Sequence, residues 1–277
     1  MKIIIFGYGS AGKRHAKNLV ALDSSTKLVI ADPRYHNEYN GEMAIYTDWQ
    51  ECLNKNENAR AAIIASPFDC HLEQMAELVE LAIPFLCEKP LWGRKQNSAR
   101  ADEIINTANE LELRSAICFQ YRYHRESGNI RALAQSDILE FHAEDNLLDK
   151  YGNTAPETMG AHPIDTALWL MGEVIENHLH TDGVKMWGWL AHKRGLSRYD
   201  VRMHKQKRIS DVGDGKRTIA LYPDDGAYVR LLDDWLGYIV TGRHSGKLPT
   251  LAEGLAVSRV LSEIKETNNG NQNVINK

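Results

Sequence analysis

The stretch "FGYGSAGKRH", residues 6–15, carries Gly7, Gly9 and Gly12 in the spacing G-x-G-x-x-G. An apolar run precedes it, and Ala16, Leu19 and Val20 continue a helical stripe behind it. In such a loop the first glycine permits a tight turn, the second lets a pyrophosphate approach the backbone, and the third lets helix pack closely on strand. The helix N-terminus then offers unpaired N–H groups to the anion. Asp32 follows the second apolar run, 20 residues beyond Gly12. A carboxylate there accepts hydrogen bonds from the adenosine ribose hydroxyls, which favours NAD(H). It would repel a 2'-phosphate, while the neighbouring cation Arg34 leaves NADP(H) open.

Such a loop works only if regular elements hold it. From residue 2 to about 120, short apolar runs alternate with helical patterns, the rhythm of a parallel sheet wrapped by helices. The predicted strands are 3–6, 28–31, 61–65, 84–88 and 115–119. Leu72, Met75, Ala76 and Val79 recur at helical spacing, as do Ile104, Ile105, Ala108 and Leu111. Thr47 with Gln50 reads as a capping box, and Asp69 as the cap of the helix carrying Leu72.

After residue 120 the pattern changes, which divides the chain into a nucleotide-binding domain, 1–120, and a second domain, 121–277, for substrate and oligomer contacts. Helices are predicted near 129–134 and over 157–171, and strands over 137–146, 174–180, 185–192, 198–204 and 218–222. Strands in succession predict an open, mainly antiparallel sheet, so the second domain is α+β and the whole chain α/β in class. Val229, Leu232, Trp235, Leu236 and Ile239 mark a late helix, and Thr250 with Glu253 opens the last by a capping box. The tail, 268–277, has the composition of a disordered segment.

Composition excludes several classes. With 43% hydrophobic and 25% charged residues and a formal charge of -4, the chain has no overall pull toward nucleic acid. No apolar run approaches the ~20 residues that cross a bilayer, and the first is too short for a signal peptide. Cys52, Cys70, Cys87 and Cys118 contain no Cys-x-x-Cys pair, so no metal site or disulfide framework is predicted and a reducing cytoplasm suits them.

Several stretches occur in an order and spacing that resemble the Gfo/Idh/MocA family of NAD(P)-dependent oxidoreductases. Residues 7–12 match its nucleotide loop, "ASPFDCH" its threonine-proline-asparagine turn, "CEKPLW" its glutamate-lysine-proline motif and "FQYRYH" its asparagine-tyrosine-arginine stretch. "GAHPIDTALWLMG" is similar to its histidine-aspartate-tryptophan helix, and "LPTLAEGLAVSRVLSEI" to its closing helix. The resemblance implies a Rossmann domain followed by an open-faced sheet domain, and action on sugars and related polyols.

It also implies a set of site residues. Gly7, Tyr8, Gly9, Ser10, Ala11, Gly12, Asp32, Arg34, Ser66, Pro67, His71, Glu88, Lys89 and Gln120 would hold the cofactor, Glu88 at the nicotinamide ribose. Lys89 would stand beside the substrate hydroxyl, where an ammonium stabilises developing alkoxide charge or passes a proton. His162 is the natural proton acceptor, because imidazole titrates near neutral pH, and Asp165 shares its helix face. Arg122, Tyr123, Thr158 and Asp165 would join Lys89 and His162 around the substrate. Two positions depart from the family: Gln120 replaces the usual asparagine, and Thr158 stands where an aspartate is common, with Glu157 beside it. Thr158 supplies no charge to raise the histidine pKa.

Residues 192–217 hold nine Lys or Arg against three acids. Such a density would attract a phosphate, a nucleotide sugar or a uronate, or guard a sheet edge against aggregation. Met186, Trp187 and Trp189 lie among the predicted strands, where a homodimer or homotetramer formed through the sheet would cover them. The functional expectation is hydride transfer between nicotinamide and a sugar, aminosugar, nucleotide sugar or polyol. A dinucleotide- or sugar-binding sensor and a redox-neutral epimerase or lyase are the alternatives.

Overall fold

A computed structural model describes residues 1–35, 38–39, 43–92, 98–145, 155–203, 209–222, 224 and 226–267, apart from the side chains of 38, 39 and 155–157. Within it the chain divides into two compact units, Met1–Arg125 with Asp225–Ser258, and Glu126–Asp224 with the segment from Arg259. The predicted disorder of 268–277 and the strand end at His204 fall outside the described residues.

The first unit is built on a seven-stranded sheet in the order β3-β4-β2-β1-β5-β6-β7. Its strands are β1 (Lys2–Phe6), β2 (Lys27–Ala31), β3 (Glu38–Tyr39), β4 (Ala44–Tyr46), β5 (Ala61–Ile64), β6 (Phe85–Cys87) and β7 (Ala116–Ile117). All neighbours run parallel except β3 against β4. Ile3, Ile4, Ile5 and Phe6 are fully buried because helices cover a parallel sheet on both faces. Those of this region are α1 (Ser10–Leu22), α2 (Trp49–Asn54), α3 (His71–Glu80) and α4 (Ser98–Glu110). Order reverses at β1, whose neighbours β2 and β5 lie on opposite sides, and open α/β sheets bind ligands at such a crevice.

Two caps differ from the sequence reading. Asp48, not Thr47, caps α2 by accepting a 2.7 Å hydrogen bond from the Glu51 N–H. Asp69 lies in a 3-10 turn, Phe68–Cys70, and α3 begins after it with Cys70 as its N-cap. The predicted strands 61–65, 84–88 and 115–119 are shorter at their ends, and β3 and β4 are additional.

The second unit contains α5 (Ser127–Ala132), β8 (Ile138–Glu144), α6 (Ala155–Met171), β9 (Val174–Thr181), β10 (Lys185–His192), β11 (Gly195–Arg202), β12 (Ile209–Gly213) and β13 (Thr218–Ala220). With β14 (Lys265–Glu266) these strands form a sheet ordered β13-β12-β8-β11-β10-β9-β14. The sheet is mixed: β11 runs parallel to β8 and β14 to β9, while the other pairs are antiparallel.

Faces alternate along the strands. Leu139, Phe141, Ala143, Leu179, Met186, Leu190, Val201 and Val212 are buried, whereas Arg198 is exposed and Trp187, Trp189 and Asp200 are half-buried. Gly160 of α6 approaches the inner face so closely that a Cβ there would come within 2.5 Å of Met186 Cε. Met186 is therefore a core residue, and the sequence grouping with Trp187 and Trp189 breaks at the pleat. On the other face His178 stacks on Trp189 at 3.9 Å and His180 on Trp187 at 6.0 Å.

The sequence boundary at 120 puts residues 225–258 with the second domain, but they pack with the first unit. Its core holds Ala227, Leu231, Leu232, Trp235 and Ile239 of α7 (Gly226–Thr241) together with Ile3, Ile5, Leu19 and Tyr123. An amphipathic stripe fixes that a helix is buried, not which sheet buries it. The last helix, α8 (Leu251–Ser262), begins in the first unit, and its final turn belongs to the second. Its predicted capping box is formed: the Thr250 N–H donates to Glu253 Oε2 at 2.8 Å and the Glu253 N–H to Thr250 Oγ1 at 3.2 Å. No helix among the described residues is long and apolar enough to cross a membrane.

Candidate active site

The glycine loop joins β1 to α1. Gly7 has φ +87°, and a Cβ there would lie 2.5 Å from the Ala65 carbonyl oxygen. At Gly12 a Cβ would lie 2.0 Å from the Gly7 carbonyl oxygen. Both positions thus need glycine sterically, one for the turn and one for helix-on-strand packing. Gly9 is different, since the nearest atom to a Cβ there is Arg34 Nη2 at 3.4 Å. Gly9 also caps α1 without a side-chain hydrogen bond, so the backbone itself is what a ligand would meet at this helix start.

Asp32, 2% exposed, follows β2 beside this loop. Its Oδ2 accepts from the Tyr8 N–H at 2.6 Å, and the Arg34 N–H, Nε and Nη2 donate to the same carboxylate at 2.9, 2.9 and 2.6 Å. Burial pushes the Asp32 carboxyl up, but these hydrogen bonds and the Arg34 charge outweigh it and bring the pKa to about 2. Lys13 lies 5.6 Å from the ring centroids of both Tyr8 and Tyr35, which adds a second cation to this corner. Ser10 is exposed and Ala11 half-buried.

A second group of predicted residues clusters at the ends of β5, β6 and β7. His71, buried, has Nδ1 at 3.0 Å from the Pro90 carbonyl oxygen and Nε2 at 3.0 Å from that of Ser66. Burial lowers its pKa, and a neutral ring donates to only one of the two carbonyls. Ser66 Oγ donates to Gln74 Oε1 at 2.6 Å, and Pro67 is exposed next to it. Lys89, half-buried, precedes Pro90 through a cis peptide bond.

Glu88 does not present an open carboxylate: it is 7% exposed and its Oε1 lies 2.8 Å from His15 Nε2. Burial would push the carboxyl up, but the His15 hydrogen bond and the Lys89 ammonium hold it below the usual range. Gln120 is 5% exposed, and its Oε1 has no hydrogen-bond partner among the described residues.

Arg122 and Tyr123, read from the sequence as substrate contacts, are buried in the first unit with protein partners. Arg122 Nη1 donates to Glu253 Oε1 at 2.7 Å, and the Tyr123 hydroxyl donates to Asp234 of α7. Burial, followed by the Asp234 carboxylate, pushes the Tyr123 hydroxyl pKa well up, so it stays a donor. The sequence reading missed His15, Asp234 and Glu253 as partners. His15 had a signal, because it shares the stripe of Gly12, Ala16 and Leu19, and a polar residue on a buried stripe needs a partner.

In the second unit α6 carries Thr158, His162 and Asp165, which are 6%, 1% and 1% exposed. The His162 carbonyl oxygen accepts from Thr166 Oγ1 at 2.9 Å, and Pro163 sits inside the helix. The side chain of Glu157 is outside the described residues.

Much of the basic segment is neutralised locally. Arg198 pairs with Glu140 at 3.4 Å, Arg217 with Asp214 at 3.4 Å, and Arg202 with Asp200. Lys205, Lys207 and Arg208 fall outside the described residues.

Residues 1–119 match the model of the Gfo/Idh/MocA oxidoreductase family with NAD-binding Rossmann fold. Among curated proteins, the inositol 2-dehydrogenase of Streptomyces avermitilis is 25% identical over 186 residues. The myo-inositol 2-dehydrogenase of Thermotoga maritima is 24% identical over 192. These alignments cover 62% and 64% of the chain but about half of each relative, 53% and 56%.

Solved structures share the fold over nearly the whole chain. The WlbA dehydrogenase from Thermus thermophilus, in complex with NAD and UDP-GlcNAcA, has a TM-score of 0.78 at 15% identity, covering 97% of both chains. The UDP-N-acetylglucosamine 3-dehydrogenase GnnA from Acidithiobacillus ferrooxidans has a TM-score of 0.76 at 17% identity, covering 96% of both. A myo-inositol dehydrogenase from Corynebacterium glutamicum has a TM-score of 0.73 at 18% identity, covering 94% of both.

Proposed function

We propose that this protein is an NAD(P)-dependent dehydrogenase that oxidises a CH–OH group of a sugar, aminosugar, nucleotide sugar or polyol. One observation carries the reading: Gly7 and Gly12 leave no room for a Cβ, Gly9 leaves its backbone open, and the three lead into a helix beside the buried Asp32 carboxylate. That is the residue set a dinucleotide diphosphate and ribose require. The unpartnered amide oxygen of Gln120 is a further fit, an acceptor for a bound group's donor. The inositol and UDP-sugar dehydrogenases that resemble the chain support the substrate class.

NAD, when bound, supplies the hydride acceptor. The backbone at Gly9 would hold its diphosphate, and Asp32 would accept from the ribose hydroxyls in place of Arg34. Lys89 holds the substrate oxygen and stabilises the alkoxide charge that develops on it, and His162 accepts the hydroxyl proton. Asp165, three residues on along the same helix, orients the imidazole. Arg34 and Lys13 together support acceptance of NADP through its 2'-phosphate.

The Trp187 and Trp189 face supports a homodimer or homotetramer, and buried thiols at Cys52, Cys87 and Cys118 suit a reducing cytoplasm. A monomeric mass across micromolar concentrations would exclude the oligomer. The function is tested by titrating the protein with NADH and NADPH, then assaying NAD and NADP reduction over inositols, hexoses, aminosugars and UDP-sugars. Binding with turnover on at least one is expected; tight binding with no turnover on any class would contradict a dehydrogenase.

A further inference from the structure

A buried pair next to Lys89 has no part in the reading above. His15 Nε2 and Glu88 Oε1 are 2.8 Å apart, with side chains 0% and 9% exposed. His15 belongs to α1, three residues after Gly12, and Glu88 follows β6 and precedes Lys89. The pair therefore ties the helix that opens the glycine loop to the Glu88–Lys89–Pro90 turn. Cys118, fully buried beyond β7, completes the group: its thiol lies against Glu88, and one donor or ligand atom from each residue lies within 4.8 Å of the others.

A carboxylate this deep needs donors, and here the imidazole is one. To donate, His15 must carry its proton on Nε2. Its Nδ1 is buried and has no hydrogen-bond partner among the described residues. A lone pair is tolerated there better than an N–H would be, which places the proton on Nε2. A metal ion explains the cluster less well, since tetrahedral zinc ligands at about 2.0–2.2 Å stand roughly 3.4 Å from one another. The observed 2.8 Å is a hydrogen-bond distance.

Resting on the dehydrogenase reading, we propose that His15 is a positioning residue: its Nε2–H fixes the Glu88 carboxylate, and with it the backbone from which Lys89 reaches the reacting oxygen. His15 touches neither substrate nor reacting atoms. Its effect is on kcat, through the geometry of Lys89, while the diphosphate cradle is left alone.

The test uses side chains that differ in where they put a donor. A glutamine amide nitrogen reaches the place of Nε2, an asparagine nitrogen only that of Nδ1, and leucine keeps bulk without a donor. His15→Gln is expected to retain kcat within about threefold, whereas His15→Asn and His15→Leu lose about tenfold to a hundredfold. NADH affinity stays within about threefold in all of them. Equal losses in Gln and Leu, no loss in Leu, or a loss confined to NADH binding would overturn the assignment.

If the leucine variant fails to fold, imidazole nitrogen NMR of the wild-type protein decides: Nε2 protonated near neutral pH is expected, and Nε2 unprotonated overturns it. One zinc per chain, lost on Cys118→Ser, also overturns it. Wild-type protein that binds NADH yet turns over no polyol or sugar would refute the dehydrogenase reading instead, and the nitrogen spectrum still reports on the pair.

Discussion

Arg34 meets Asp32 through two parallel contacts, Nε to Oδ1 at 2.9 Å and Nη2 to Oδ2 at 2.6 Å. The guanidinium side chain is 66% exposed and the carboxylate side chain 2%, so the cation can swing away while the acid cannot. On the proposed reading, a ribose bound to the Asp32 carboxylate would displace Arg34, freeing a cation to meet a 2'-phosphate. Asp32→Ala should therefore weaken NAD binding about tenfold or more, as expected for losing hydrogen bonds to a charged group, without weakening NADP. Arg34→Ala should weaken NADP more than NAD. Fluorescence titration of both cofactors on both variants measures this, and an unchanged NAD-to-NADP ratio would contradict it.

The same contacts predict a pH effect on stability. The Asp32 carboxyl is held at about 2 against an ordinary 3.8. Because the folded value is the lower one, the stabilisation is complete above about pH 4 and is lost as pH falls through about 2, amounting to about 2 kcal/mol. Denaturant unfolding of wild type and Asp32→Asn should show the wild-type advantage shrinking by that amount between about pH 5 and about pH 2. Parallel pH curves would show that the carboxylate is not stabilised in the fold.

The three glycines should separate stability from binding. Gly7→Ala and Gly12→Ala force a Cβ against backbone oxygens at 2.5 and 2.0 Å and should destabilise by about 1–3 kcal/mol or more. Gly9→Ala meets only Arg34 Nη2 at 3.4 Å, so its melting temperature should stay near wild type while NADH affinity falls. Thermal melts beside calorimetric titrations distinguish the two classes. A destabilised Gly9→Ala with normal affinity would contradict the roles assigned.

Arg122 and Glu253 offer a different kind of test, because the buried guanidinium depends on a carboxylate that also caps α8. Glu253→Ala removes the cap and leaves the Arg122 charge without that partner. With the Glu253 side chain 39% exposed, the loss is discounted to roughly 2–3 kcal/mol. Glu253→Gln keeps an acceptor for the Thr250 N–H and should cost less. Urea unfolding of the two variants gives the comparison; equal losses would mean the capping acceptor contributes nothing, and a Glu253→Gln variant as stable as wild type would mean the charge contributes nothing.

Buried strands were the most legible elements. Residues 3–6 read as a strand because both faces of β1 are covered, which leaves an unbroken apolar run. β4 has one buried residue, Ile45, and β12 sets Ser210 and Asp211 between apolar neighbours, so neither carries enough pattern to be found. Cap choice at Thr47 against Asp48 turned on one residue of register, within the usual uncertainty of helix ends. The cradle glycines and Asp32 were visible because their spacing is local. The partners of Glu88, Arg122 and Tyr123 lie 73, 131 and 111 residues away, at separations on which sequence spacing is silent.

The most direct test of the proposed chemistry follows NADH formation in parallel for wild type and Lys89→Met, with NAD and whichever inositol, sugar or nucleotide sugar the wild type accepts. Turnover by wild type, with loss of at least about a hundredfold in kcat and unchanged NADH affinity in the variant, is the predicted result. Equal turnover by Lys89→Met would contradict the account.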